Sequence, residues 1–147
     1  MYAIGAGPLV ALAPAQAEVW LDGAHNEAGG RALAEAMADF EEQRQRPLAL
    51  ICGILASKNA AGFLAHFKGL AQETLAVPIA GEHAGRAAEE VAAIARSVGL
   101  SAAACDSVAS ALRFLAARQW PKPPRILIAG SLYLAGKVLE ENDSAPR

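Results

Sequence analysis

Three short polar stretches stand directly after apolar runs, and their residue types are those that bind polar small molecules. "LDGAHN" contains Asp22, His25 and Asn26, "GILASKN" contains Lys58, and Ser131 follows "RILIAG". A carboxylate at the end of an apolar strand needs hydrogen-bond donors, either from the chain or from a ligand such as a ribose or an ammonium group. A lysine can neutralise a carboxylate or a phosphate. The three stretches therefore predict a site for a polar, charged ligand.

Each of these side chains also has a structural explanation. Asn26 fits a helix N-cap, and Ser131 fits the cap of the last helix. A lone histidine in a loop, such as His25, is structural about as often as it is functional. Lys58 is somewhat better explained as a solvated surface charge. Arg86 follows "GEHAG" and either belongs to the same rim or faces solvent at a helix start.

Neither a metal centre nor covalent catalysis is predicted. His66 and His83 have no second histidine or cysteine at ligand spacing. Cys52 and Cys105 lie far apart inside apolar segments, so we expect free thiols in a reducing compartment. No serine, threonine or cysteine has a general base beside it in the sequence.

The stretch "AGSLYLAGKV" resembles a phosphate-binding P-loop but fails its spacing. Five residues separate Gly130 from Gly136 where the motif has four, and Val138 stands where a hydroxyl side chain would hold magnesium. We therefore expect Gly136 and Lys137 to be ordinary members of a helix.

Short apolar runs alternate with segments of helical period, which is typical of a parallel sheet with helices on its faces. The predicted strands are Leu9–Leu12, Glu18–Leu21, Leu48–Cys52, Thr74–Pro78, Ala102–Cys105 and Ile126–Ala129. The predicted buried helix positions are Leu33, Ala36, Met37 and Phe40; Val91, Ile94 and Val98; Val108, Leu112 and Leu115; and Leu132, Ala135 and Leu139. A weaker helix is predicted over Ala60–Leu70, and the residues from Glu141 to Arg147 are expected to fray.

The predicted architecture is α/β, a Rossmann-like, mostly parallel sheet with helices on both faces. In such sheets ligands bind beyond the carboxyl ends of the strands, where helix N-termini direct free N–H groups outward. The polar stretches around Asp22, Lys58 and Ser131 all fall at predicted strand ends. We therefore expect them to form one site.

The composition indicates one compact domain over residues 1–147 with a small-molecule partner. Apolar residues make up 54% of the chain and charged residues 19%, which suffices for a buried core. The net charge of −2 and the absence of basic runs argue against nucleic acid or an anionic membrane surface as partner. The apolar N-terminal segment lacks a basic region and is interrupted by Pro8 and Pro14, so neither a signal peptide nor a membrane span is predicted. We expect a cytoplasmic protein.

Three of these stretches together resemble a known family. "LDGAHN", "GILASKN" and "ILIAGSLYLAGKVL" look like motifs of the C-terminal domain of folylpolyglutamate synthase and dihydrofolate synthase, within the Mur ligase superfamily. The similarity in order and spacing extends from about Pro8 to Leu139. The resemblance implies a Mur ligase C-terminal domain fold.

The resemblance also implies an activity. Family enzymes use ATP and magnesium to activate a carboxylate of folate or dihydropteroate as an acyl phosphate, which the amine of L-glutamate then attacks. By this resemblance Asp22 contacts ATP, and His25, Lys58 and Ser131 lie near the bound glutamate. Asn26 and Arg86 are further candidates. The N-terminal ATPase domain of the family supplies the P-loop and the magnesium ligands.

The sequence departs from the family pattern at several points. Ser57 and Asn59 flank Lys58 where acidic residues are usual, and Glu27 replaces a common proline. No Walker A motif occurs, and the chain is too short for the N-terminal domain. We therefore expect a C-terminal domain that is inactive alone. The alternatives are a stand-alone α/β binding or interaction module without ligase activity and, less well matched, a peptidoglycan-precursor ligase domain.

Overall fold

The computed structural model describes residues 1–81 and 84–142. Within those residues six strands form one sheet in the order β1-β2-β6-β3-β4-β5. The strands are β1 (Tyr2–Ala3), β2 (Glu18–Leu21), β3 (Leu48–Cys52), β4 (Ala71–Ala76), β5 (Ala102–Ala104) and β6 (Arg125–Ala129). The helices are α1 (Glu27–Gln43), α2 (Ala60–Ala65), α3 (Ala88–Ser97), α4 (Val108–Ala116) and α5 (Leu132–Glu141), together with a short 3-10 helix at Val10–Leu12. β1 pairs antiparallel with β2, and all other pairs are parallel.

Apolar side chains cover both faces of the sheet. Alternate residues of a strand point to opposite faces, and in β3 Leu50 packs with the core of α1, α2 and α3, whereas Ile51 packs with that of α4 and α5. All five residues of β3 are buried, which is typical of a central parallel strand. The predicted α/β fold with helices on both faces is confirmed.

Two of the predicted strands were misplaced. The segment Leu9–Leu12 is not a strand but contains the 3-10 helix Val10–Leu12. Leu9 is buried, and Val10 and Leu12 are half-buried, against the core cluster that includes α4 and α5 rather than by strand pairing. The strand predicted at Thr74–Pro78 begins earlier, at Ala71, and ends at Ala76. Its register against β3 shifts between Leu48 and Ala49, an irregularity that no apolar pattern reveals.

Two of the predicted helices also differ in detail. The helix predicted over Ala60–Leu70 ends at Ala65, and the chain then turns through Gly69 at φ +82°. In α5 the buried positions are Leu134 and Val138, while Leu132 is 65% exposed. Leu132 was predicted to be buried because it continues the helical spacing, but as the first residue of α5 it lies beyond the sheet.

Asn142 attaches the end of α5 to the N-terminal segment. Its Oδ1 accepts hydrogen bonds from the amides of Leu9 and Val10 at 2.9 and 3.1 Å, and its Nδ2 donates to the Ala6 carbonyl at 2.8 Å. The side chain is 1% exposed. The expectation that the chain frays from Glu141 was therefore wrong at Asn142, and residues 143–147 lie outside the described residues.

Candidate functional site

Four loops lie side by side at the carboxyl edge of the sheet because β2, β6, β3 and β4 are consecutive neighbours. We call residues 22–26 the β2 loop, 130–131 the β6 loop, 53–59 the β3 loop and the described residues 77–81 and 84–87 the β4 loop. Backbone hydrogen bonds join them: Gly130 donates to the Ala24 carbonyl at 2.9 Å, and Gly53 donates to that of Ala129 at 3.4 Å. The sheet order thus brings the predicted polar stretches together.

Asp22 is held by the backbone of its own loop. Its Oδ1 accepts a 2.8 Å hydrogen bond from the Ala24 amide, which fixes the carboxylate at the strand end. Its Oδ2 lies 3.0 Å from the amino group of Met1, and the side chain is 21% exposed. One oxygen of the carboxylate is therefore held by the loop backbone, and the other is paired with the Met1 amino group.

His25 and Asn26 have different roles in the same loop. The oxygen of the Asn26 side chain accepts from the Gly29 amide at 2.8 Å and caps α1, as predicted. The Nδ1 atom of His25 lies 3.1 Å from the Gly23 carbonyl. Because a carbonyl only accepts, Nδ1 carries the proton in this arrangement, and Nε2 of the neutral ring is an acceptor. An imidazole held in this way can accept a hydrogen bond from an amine.

The β6 loop turns sharply into α5. Gly130 has φ +113°, and a Cβ there would lie 2.6 Å from the Gly53 carbonyl oxygen. Ser131 is buried, and its Oγ accepts from the amides of Tyr133 and Leu134 at 3.0 and 3.3 Å. The predicted cap is confirmed, as are the places of Gly136 and Lys137 within α5. The Ser131 hydroxyl keeps its own proton to donate.

The β3 and β4 loops are joined by both backbone and side-chain contacts. Leu55 and Gly85 form an antiparallel bridge. The guanidinium of Arg86 donates from Nη2 to the carbonyls of Lys58 and Ala56 at 2.8 and 3.1 Å. Of the two interpretations left open for Arg86, the structure supports a place at the rim, because this side chain contacts the loop that carries Lys58.

Sequence reasoning missed two features of this site. Glu90 accepts a hydrogen bond from Nη1 of Arg86 at 3.0 Å. The i,i+4 spacing of these two residues in the sequence could have predicted this pair. The hydrogen bond from the Gly130 amide to the Ala24 carbonyl involves only backbone atoms. It could not be predicted from residue types, because it depends on the order of the strands in the sheet.

Two surface pockets lie at opposite ends of the strands, and only one of them adjoins these loops. One of about 370 Å³ lies between the β4 loop and α5 and is lined by Gly81, Leu132, Tyr133 and Lys137. A larger one, about 470 Å³, lies at the opposite, amino end of the strands beside Arg46 and Arg125. The guanidinium groups of both arginines pair with Glu18. We place the candidate site at the carboxyl edge, where the polar loops converge.

Metal ligands are not grouped anywhere in residues 1–81 and 84–142: no three histidine, cysteine, aspartate or glutamate side chains could hold one ion. His66 lies 3.8 Å from Glu27, and His83 lies outside the described residues. Cys52 and Cys105 are free, as predicted. Burial raises the pKa of Cys52 to about 12, so this thiol is no nucleophile at neutral pH.

A mostly parallel sheet with helices on both faces, and with polar loops at its carboxyl edge, is typical of the α/β class, in which ligands commonly bind at this edge. The family model described as "Dihydrofolate synthetase, C-terminal domain" matches residues 9–141. The chain belongs to this family. The resemblance seen in the sequence motifs is thereby confirmed.

Solved structures support the same relationship. Folylpolyglutamate synthase from Thermotoga maritima matches with a TM-score of 0.73 and 21% identity, covering 89% of this chain and 29% of that one. Escherichia coli FolC in complex with DHPP and ADP matches at 0.72 and 25% identity, covering 86% and 29%. A bifunctional folylpolyglutamate synthase/dihydrofolate synthase with Mn, AMPPNP and L-glutamate bound matches at 0.67 and 25% identity, covering 85% and 29%.

The chain therefore spans about three tenths of the length of these solved proteins. A search of curated proteins finds no match. Among the described residues no helix is long and apolar enough to cross a membrane.

Proposed function

We propose that this chain is the C-terminal domain of an ATP-dependent ligase that adds L-glutamate to folate or dihydropteroate through an acyl phosphate. The observation that carries the proposal is the family match over residues 9–141, which includes all of the loops at the carboxyl edge. The bound ADP, AMPPNP and L-glutamate of the solved relatives agree with it.

The four loops offer groups suited to the two ligands. Oδ2 of Asp22 would accept from a ribose hydroxyl of ATP in place of the Met1 amino group, and Nε2 of His25 would accept from the glutamate amine. Lys58 would neutralise a glutamate carboxylate, and the Ser131 hydroxyl would donate to the same ligand. These groups bind and orient, and a ligation of this kind gains most of its rate from positioning and electrostatic stabilisation.

Magnesium does not fit the described residues of this chain, which hold no acidic cluster. We assign magnesium and the phosphate-binding loop to an N-terminal ATPase domain outside these 147 residues, and we expect this chain alone to be inactive. A stand-alone binding module without ligase activity is the competing interpretation. The reading frame upstream of Met1 distinguishes them: a P-loop domain in frame supports the ligase, and its absence supports the module.

The binding roles are tested by kinetics of the complete enzyme with folate or dihydropteroate as acceptor. Asp22→Ala should raise the KM for ATP, and His25→Ala that for L-glutamate, each by about tenfold, which corresponds to about 1.4 kcal/mol. Asp39→Ala, on the exposed surface of α1, is the matched control and should change neither constant. Unchanged KM values in the Asp22→Ala and His25→Ala variants would contradict a ligand-binding role for the β2 loop.

A further inference from the structure

The β3 loop has few backbone contacts of its own to keep it in place. Its backbone pairs with the β4 loop through Ala56 N to the Ala84 carbonyl at 2.8 Å and Arg86 N to the Ile54 carbonyl at 2.8 Å. Beyond Ala56, the amide of Lys58 bonds only within the loop, to the Leu55 carbonyl at 3.0 Å. The polar tip of the loop around Lys58 therefore depends on side-chain contacts to hold its conformation.

Arg86 supplies those contacts. Its Nη2 donates to the carbonyls of Ala56 and Lys58, and its Nη1 donates to Glu90 in the first turn of α3. Both hydrogens of Nη2 are thus used within the protein. The Nε atom is buried, with no partner among the described residues, and the side chain is 21% exposed. Because both hydrogens of Nη2 and one of Nη1 are already donated within the protein, this guanidinium is poorly placed to bind a ligand directly.

The chemistry of arginine suits this task. The planar guanidinium fork can donate to two carbonyls at once in a fixed geometry, whereas a lysine ammonium is a point charge on a flexible stem. Lys58 itself has no ion-pair partner within residues 1–81 and 84–142. Lys58 thus lies on a backbone segment to which the Arg86 guanidinium donates two hydrogen bonds.

We propose that Arg86 is a positioning residue that fixes the backbone of the β3 loop, so that Lys58 is held ready for a carboxylate of the bound amino acid. This inference rests on the proposed function for the identity of the ligand. The holding of the loop by Arg86 is independent of any ligand.

The first test is amide hydrogen exchange of the 147-residue chain. In Arg86→Ala the amides of Ala56 and Lys58 should exchange at least tenfold faster, while that of Leu50 in β3 is unchanged. Arg86→Lys should recover only part of the protection. Arg96→Ala is the matched control, because Arg96 also donates to a backbone carbonyl, that of Ala102 at 2.9 Å, away from the site. Equal protection in wild type and Arg86→Ala would overturn the inference.

The second test measures binding of L-glutamate to the same chain by amide chemical shifts, in a double-mutant cycle. Arg86→Ala and Lys58→Ala should each raise the Kd about tenfold. If Arg86 acts through Lys58, the Kd of the double variant should be no higher than the higher Kd of the two single variants. A Kd raised about a hundredfold in the double variant, the product of the two single effects, would mean that Arg86 acts on the ligand separately. That result would overturn the inference.

The two tests separate this inference from the proposed function. A wild-type chain whose β2, β3 and β6 loops show no response to L-glutamate would contradict the glutamate-binding role. The exchange data would then still decide whether Arg86 holds the loop. Faster exchange in Arg86→Ala with an unchanged glutamate Kd would instead overturn the positioning role while leaving glutamate binding intact.

Discussion

The Gly130 amide donates a 2.9 Å hydrogen bond to the Ala24 carbonyl, and this bond joins the β6 loop to the β2 loop. Gly130 can approach so closely because it lacks a side chain: a Cβ there would lie 2.6 Å from the Gly53 carbonyl oxygen. Its φ of +113° is also one that other residues rarely adopt. Two strand ends are therefore held together at a position that only glycine fills without strain.

Gly130→Ala should lower the free energy of unfolding by about 2 kcal/mol or more, because it adds backbone strain to a steric clash. Gly136→Ala is the matched control. Gly136 lies within α5 with nothing within 4 Å of its Cβ position, so alanine should stabilise the chain by about 1 kcal/mol. Urea unfolding of both variants measures the difference. A Gly130→Ala protein as stable as wild type would show that the loops can rearrange.

Asn142→Ala should lower the free energy of unfolding by about 2–3 kcal/mol, because it leaves the Leu9 and Val10 amides without their acceptor and removes the bond to Ala6. Exchange of the Leu9 amide should quicken more than that of the strands. For comparison, Asn26→Ala removes one exposed cap bond and should cost about 1 kcal/mol. Equal losses in the two variants would contradict the attachment described for Asn142.

The periodic patterns of the sequence predicted most of the sheet but not its first edge. Strands with continuous apolar runs, such as Leu48–Cys52, were placed correctly because burial on both faces leaves a strong signal. β1 was missed because its two residues, Tyr2–Ala3, are exposed and pair with β2 only through the backbone. Leu9–Leu12 was misread because an apolar run can be buried without being a strand.

The meeting of the polar stretches at one edge of the sheet was predictable, but the contacts between them were not. Asp22, Lys58 and Ser131 were grouped because each follows a predicted strand, and the parallel topology brings strand ends to one edge. The links between the loops depend on strand order, which sequence spacing does not encode. Arg86 illustrates this limit, because its partners Ala56 and Lys58 are 30 and 28 residues away and offer only backbone carbonyls.

Cys52 should be unreactive in the native chain. Its side chain is fully buried in β3, and burial raises its pKa to about 12, so only about 1 in 10,000 of these thiols is ionised at pH 8. Burial also raises the pKa of Cys105, as do the nearby charges of Asp106 and Glu73. With a thiol reagent at pH 8, Cys105→Ala should show no native reaction and one full thiol in urea. Native labelling of Cys52 at the rate of a free thiol would contradict this burial.

Glu18 should make the stability of the chain depend on pH in acid. Burial by itself raises the pKa of Glu18, but hydrogen bonds from Trp20 and Arg125 and the charges of Arg125 and Arg46 outweigh it, so the pKa lies below its ordinary value of 4.5. A lowered folded-state pKa means that the unfolded chain takes up the proton first as pH falls. The stabilisation by this carboxylate is thus complete well above pH 4.5 and is lost as pH falls from there through the folded pKa.

Glu18→Gln tests that relationship directly. It removes the nearer of the two carboxylates that pair with the Arg125 guanidinium, which is 2% exposed, and leaves only Glu41 at 3.9 Å, so the free energy of unfolding at pH 7 should fall by about 2 kcal/mol. The deficit relative to wild type should shrink below pH 4.5, because the wild-type carboxyl is then protonated too. Glu35→Gln, which breaks an exposed pair with Arg31, should cost less than about 0.5 kcal/mol. Urea unfolding at pH 7, 4.5 and 3 measures all three proteins, and a Glu18→Gln deficit that stays constant with pH would contradict a lowered pKa for Glu18.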